Sequence, residues 1–209
     1  MPDKTHFLLF LSAAFLLAIT PGPGIFYVLA RTLKGGRQEG FASAFGTAIG
    51  GIGHVVAAAL GLSTLLANSA LAFEAVRYLG AAYLVYLGVR TLLTRDVKDL
   101  PDDVPEPNAK GALYQGILTE ALNPKTALFF LAFIPQFVNT HAPALPQFLL
   151  LGAISVGLNT AADIVVVLLA GPIGQRMHAS LRLRRGQRLF SGCFLIGLGG
   201  YVAVSGGKR

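Results

Sequence analysis

Residues 20–24 read TPGPG and residues 123–125 read NPK, each set inside an apolar run. Proline removes a backbone donor and its ring clashes with the preceding turn, so neither stretch continues a straight helix. At the first, the chain is expected to unwind at Pro21, Gly22, Pro23 and Gly24 and to restart as a second half-helix. At the second, Asn123 is a good N-cap and Pro124 a good first helical residue. Each break thereby creates a helix N-terminus whose unpaired N–H groups carry partial positive charge and suit a carboxylate. Lys125 adds a full charge beside the second break.

The flanking runs define the environment. Residues 7–30, 40–73 and 126–162 contain no Asp, Glu, Lys or Arg. About 20 helical residues cross the roughly 30 Å hydrocarbon core of a bilayer, so each run is long enough to span one. Charged residues make up 13% of the 209, about half the roughly 25% of a soluble domain. The net charge of +7 fits basic cytoplasmic loops better than nucleic-acid binding. A single cysteine, Cys193, excludes a disulfide framework and a Cys-pair redox relay. Four scattered His and no HExxH give no basis for a metal centre, so no metal or cofactor is expected.

Six spans are expected, at about 6–33, 40–67, 70–94, 111–139, 146–173 and 188–206, giving an all-α polytopic membrane protein. Arg31, Lys34 and Arg37 fall between spans one and two, and Arg90, Arg95, Lys98 and Lys110 between three and four. Arg176, Arg182, Arg184, Arg185 and Arg188 fall between five and six. The positive-inside rule places these connections in the cytoplasm and both termini outside, against the weaker vote of Lys4, Lys208 and Arg209. Lys4 and the apolar residues after it resemble the start of a signal peptide. The apolar pattern resumes directly after Gly24, however, so the segment is expected to be retained. Residues 95–110, RDVKDLPDDVPEPNAK, read as a solvated cytoplasmic linker. Residues 175–188 read as a topology anchor or a contact for anionic lipid.

The two halves, 1–94 and 111–209, echo one another. Pro21 and Pro124 break the first span of each, Gly80 and Gly88 match Gly192 and Gly200, and Gly46, Gly50 and His54 match Ser155, Asn159 and Asp163. Three spans per half is an odd number, so the second half would lie upside down. Inverted repeats with interrupted helices at matching places are common among secondary transporters, whose solute site lies near the bilayer midplane. The depth agrees: Gly111 to Asn123 is 12 residues, about 18 Å of helix rise. Glycine-rich packing of ordinary membrane helices remains the plainer reading of the stripes.

Asp163 falls near the centre of span five, where a charge costs roughly 2.5–3.5 kcal/mol to insert. Asn159 shares its face. Asp163 is read as the partner of a substrate ammonium and as a proton carrier, with a structural ion pair to Lys125 as the alternative. His54 is a second coupling candidate, since histidine is a side chain that can pass protons, or a hydrogen-bonded structural residue. Glu120, one turn before Pro124, either reaches the freed N–H groups or pairs with Lys125. His6, His141 and His178 lie at span ends and read as interfacial.

With ITPGPG in span one, HVVAAALGL in two, YLGAAYLVYLGVRTL in three, NPKTALFFLAFIPQF in four and ADIVVVLL in five, the chain resembles the LysE/RhtB amino-acid exporters over nearly its whole length. The resemblance implies a proton-driven secondary transporter of the bacterial inner membrane that exports an amino acid or close derivative, working as a homodimer. It carries the motif onto Pro21, Gly22, Pro23, Gly24, Asn123, Pro124 and Lys125. His54 and Asp163 match polar positions of RhtB-type members, and a tyrosine that some members carry is Ala170 here. Substrate class alternatives are another small solute or a metal ion. The remaining rivals are a membrane-embedded enzyme, disfavoured for want of a nucleophile–base pair, and a non-transporting scaffold.

Overall fold

The computed structural model describes residues 4–20, 22–93, 108–139, 142–179 and 181–205. Pro21, nearly all of the 95–110 linker, His141, Lys208 and Arg209 lie outside the described residues, as do the side chains of Lys4, His6, His178, Arg176, Arg182, Arg184 and Arg188. Among the described residues the regular elements are all helical. They are α1 (Lys4–Ile19), α2 (Pro23–Asn68), α3 (Ala70–Leu93), α4 (Ala109–Ala121), α5 (Pro124–Leu128), α6 (Ala144–Ala179) and α7 (Leu181–Ser205).

Both expected breaks are present. The first helix ends at Ile19, Thr20 bends, and α2 begins at Pro23. Between α4 and α5 the axis turns by 42°. Asn123 caps the restart, its side-chain oxygen accepting from the Lys125 N–H at 3.1 Å, with Pro124 as the first helical residue. A π-turn over Phe129–Phe133 and a 3-10 turn over Ile134–Phe137 follow α5. Pro135, which cannot donate to the carbonyl four residues back, accounts for the loss of regular α pairing there.

At 46 residues, α2 would measure about 69 Å if straight, far more than a bilayer needs. It is not straight. Gly36 has φ 73° and ψ −173°, a left-handed conformation open to glycine and costly for other residues. The hydroxyl of Thr32 lies against the position a Gly40 side chain would take, whereas eight residues of continuous helix would separate the two by about 12 Å. The chain therefore doubles back at Gly36 into a short arm, 23–35, and a long arm, 37–68. This corrects the expected loop over 34–39: Arg31, counted above with a connection, is 1% exposed and pairs with Glu39 at 3.2 Å.

By length and apolarity two described stretches qualify to cross a membrane, Pro23–Thr64, which includes the turn at Gly36, and Ala144–Ala170, and a third if the bent pair Ala109–Ala121 and Pro124–Phe137 is one span. The six expected spans are thus not all recovered as long apolar helices. The first is divided, with Phe7–Ile19 standing as a shorter apolar helix before Pro23, because the TPGPG stretch cuts it.

Glycine sets the closest approaches. The expected Gly46–Gly50 stripe packs on α4, where a Cβ at Gly50 would lie 2.7 Å from the Ile117 carbonyl and one at Gly116 2.7 Å from the Ser43 carbonyl. The long arm also runs antiparallel to α6, with Gly51 against Val156 and Gly152 against Val55. α3 and α7 run antiparallel with Gly88 against Gly192. Here the matching of Gly200 to that stripe fails: Gly200 faces open space and its neighbour Gly199 meets the Ala81 carbonyl. A helix turns about 100° per residue, so a one-residue offset changes the face presented. A ladder of aromatic rings, Phe129, Phe133 and Phe137, fills the core beside Phe10 of α1, with centroids 4.8–5.5 Å apart.

A polar cleft between two broken helices

The two breaks lie against each other. A side chain on Gly22 would come within 3.0 Å of the Lys125 Nζ, and one on Gly24 within 2.9 Å of Glu120 Oε2. Glycine at both places lets the second break close on the first.

Lys125 is 9% exposed. Its ammonium donates to the carbonyls of Thr20 at 2.8 Å and Leu17 at 3.3 Å. These belong to the end of α1, whose last carbonyls carry partial negative charge; that of Leu17, which Pro21 cannot serve, also accepts from the Thr20 N–H at 3.1 Å. A lysine from the second break thus caps the helix interrupted by the first. An ammonium has three donors, and this arrangement commits two of them.

Glu120, 7% exposed, braces the second break. Its Oε2 accepts from Asn123 Nδ2 at 2.9 Å and its Oε1 from the Thr126 hydroxyl at 2.6 Å. Among the described residues it bonds to side chains, neither to freed backbone amides nor to Lys125. Both oxygens are engaged.

His54 repairs the same break from outside. In a continuous helix the Glu120 carbonyl would accept from residue 124, but Pro124 has no N–H. His54 Nε2 donates to that carbonyl at 2.9 Å, and its ring stacks near Phe130 at 6.0 Å.

Asp163 lies across the cleft on α6, 5% exposed. Its Oδ2 accepts from the Thr47 hydroxyl at 2.8 Å. The alternative of an ion pair with Lys125 is not realised: the ammonium is committed to α1, and Asp163 makes no salt bridge among the described residues. Its second oxygen makes no hydrogen bond among the described residues. Asn159, one turn earlier, also borders the cleft, with its amide donating to the Ser155 carbonyl at 3.1 Å.

Of the residues read from the sequence, the fold brings Gly24, Glu120, Asn123, Lys125, Asn159 and Asp163 to one cleft. Gly22 touches Lys125 just behind it. Pro23 and Pro124 are exposed and His54 lies outside the lining, while Pro21 is outside the described residues. Thr47 and Thr126 were missed. Thr47 sits one residue from the Gly46–Gly50 stripe, and only the antiparallel register of the long arm on α6 brings it to Asp163. The cleft measures about 430 Å³ with its open mouth. Its inner free space is on the order of a single water molecule, so the cleft is narrow.

Apolar helices enclosing a buried cleft that carries both signs of charge define a multi-pass membrane protein with a polar interior. Residues 15–206 match the LysE type translocator family, and the chain belongs to it. It is 31% identical over 174 residues to a homoserine/homoserine lactone efflux protein of Salmonella typhimurium, covering 83% of this chain and 82% of that one. An uncharacterized membrane protein of Bacillus subtilis, YrhP, is 34% identical over 156 residues, 70% and 74% of the two chains. An uncharacterized membrane protein of Vibrio cholerae is 29% identical over 193 residues, 92% and 94%. No solved structure matches.

Proposed function

We propose that the protein is a secondary transporter that exports an amino acid or close derivative across the cytoplasmic membrane in exchange for protons. The observation that carries this reading is Asp163: a buried carboxylate with one oxygen uncommitted, facing Lys125 and the two helix breaks across a polar cleft. A zwitterion complements that arrangement. Its ammonium would meet Asp163, and its carboxylate the third N–H of Lys125 and the helix N-termini at 22–24 and 123–125. Protonation of Asp163 would then release the ammonium. Homoserine is a fitting first candidate, since a relative of 31% identity is named for its efflux.

The same reading takes the helices as six spans in two inverted repeats, with α1 and the short arm of α2 as one broken span and α4 and α5 as its counterpart. Three antiparallel meetings support it: break against break, long arm against α6, and α3 against α7. Rocking of one half on the other would open the narrow cleft to each side in turn. The basic connections support a topology with both termini outside, and a homodimer in the lipid bilayer is the assembly we expect.

Counterflow of labelled L-homoserine and a panel of other amino acids in proteoliposomes, with and without a pH gradient, tests the proposal. Accumulation should follow the proton gradient in the wild type, and Asp163→Asn should insert normally yet lose gradient-driven uptake. Gradient-driven uptake by Asp163→Asn would sink the coupling role; a panel in which only inorganic cations move would sink the amino-acid reading.

A further inference from the structure

Thr47 Oγ1 lies 2.8 Å from Asp163 Oδ2 and also 2.8 Å from the Ala44 carbonyl. Both separations are ordinary for O–H···O hydrogen bonds. A hydroxyl has one hydrogen, however, and two lone pairs that accept. The carbonyl can only accept. If the Thr47 hydrogen goes to Ala44, the second contact is a hydrogen bond only when Asp163 is a carboxylic acid that donates to Thr47. If Asp163 is a carboxylate, the Thr47 hydrogen must turn to it, and the Ala44 carbonyl keeps its helical partner alone.

We infer that Thr47 is the positioning residue for proton coupling, a hydroxyl rotor that holds Asp163 in one place in both protonation states. The inference rests on the assignment of Asp163 as the proton carrier. Taking up a proton makes the carboxylate an acid, its O–H donates to Thr47 Oγ1, and the threonine hydrogen swings to Ala44. Losing the proton reverses both. No heavy atom has to move, so the carboxyl stays aligned with the cleft while its charge changes. Thr47 and Asp163 are 5% exposed each, so water does not readily substitute as the partner.

The ionisable groups facing Asp163 are Glu120 from α4 and Lys125 from α5. The short arm of α2 brings only Gly24 and Ile25, and α6 itself adds the polar Asn159 and Thr160. On the long arm His54 is turned to the Glu120 carbonyl. Glu120 has both oxygens bound and Lys125 two of its three donors, which leaves Thr47 as the direct partner of the Asp163 carboxyl.

The test uses full-length protein in proteoliposomes, with labelled L-homoserine counterflow read as a function of pH for wild type, Asp163→Asn, Thr47→Val and Thr47→Ser. The infrared carbonyl band of a protonated carboxyl is recorded on the same samples. Valine keeps the shape of threonine without the hydroxyl; serine keeps the hydroxyl. The expected result is a flat pH profile for Asp163→Asn and loss of the band. For Thr47→Val the midpoint should be displaced by about one pH unit and the band should change frequency, while Thr47→Ser follows the wild type in both. If Asp163→Asn keeps the wild-type profile and band, the coupling role of the aspartate fails and this inference with it. If Asp163→Asn behaves as expected but Thr47→Val superimposes on the wild type, the inference alone is overturned. Should Thr47→Val abolish transport, the band decides: an unmoved frequency overturns the rotor.

Discussion

The two helix breaks solve the same problem by different means. The second is nearly self-sufficient: Asn123 caps its restart, Glu120 ties Asn123 to Thr126, and His54 supplies the donor that Pro124 lacks. The first borrows. Its carbonyls at Leu17 and Thr20 both accept from Lys125, which belongs to the other break, and only Leu17 has a backbone donor besides, the Thr20 N–H. The breaks are therefore one unit, with the second as the support of the first. A movement that draws the two apart must withdraw the lysine from α1. That couples any opening of the cleft to the end of the first helix.

The largest expected effect is therefore that of Lys125→Met. It strips the lysine donor from two carbonyls, of which Leu17 keeps the Thr20 N–H and Thr20 is abandoned, and an abandoned buried acceptor costs about 1–3 kcal/mol. The melting temperature in detergent should fall sharply and homoserine counterflow should vanish. Lost counterflow with an unchanged melting temperature would assign the lysine to the solute alone and leave the first break without its support from the second.

Glu120→Ala comes next, since it leaves Asn123 and Thr126 without their acceptor at a similar cost of about 1–3 kcal/mol. Glu120→Gln keeps one side-chain oxygen and should lose less. Because both carboxylate oxygens are bound within the break, the pH profile of counterflow should match the wild type in Glu120→Gln. A displaced profile would make Glu120 a coupling residue beside Asp163.

Gly22→Ala should be milder. The new methyl would sit 3.0 Å from Lys125 Nζ and 3.1 Å from its Cε, so the flexible lysine end must shift by a few tenths of an ångström. Counterflow should fall several-fold, with a smaller loss of melting temperature than Lys125→Met. Gly53→Ala, where a methyl meets nothing within 4 Å, serves as the neutral control. Equal behaviour of the two variants would remove Gly22 from the latch.

The smallest effect is expected from His54→Gln, which retains a side-chain N–H. Interhelical hydrogen bonds in membranes average about 0.6 kcal/mol, so even complete loss of this one would be modest. The pH profile should be unchanged. A profile that loses its dependence in His54→Gln would give the histidine the coupling role.

Much of the site was legible because it is written in residues that local physics makes conspicuous. Prolines and an N-capping asparagine mark helix ends wherever they occur, and an aspartate in an apolar run demands a polar surrounding. Gly46 and Gly50 announced a close helix contact and made one with α4. The partners were another matter. Lys125 was read as a ligand for a carboxylate, yet its nearest acceptors come from more than a hundred residues earlier. Arg31 was read as a loop charge, yet it is buried because Gly36 turns the chain sharply enough to bring Glu39 back onto it.

From the sequence alone followed a helical membrane protein with two interrupted helices, and an acid and a base at membrane depth. Those properties depend on backbone chemistry and on the cost of charge in hydrocarbon, both of which act residue by residue. Tertiary structure decided which donor meets which acceptor: Lys125 with the end of α1, Glu120 with Asn123 and Thr126, Thr47 with Asp163. A hydrogen bond is made or missed within a few tenths of an ångström, and the register of helices distant in sequence sets that separation.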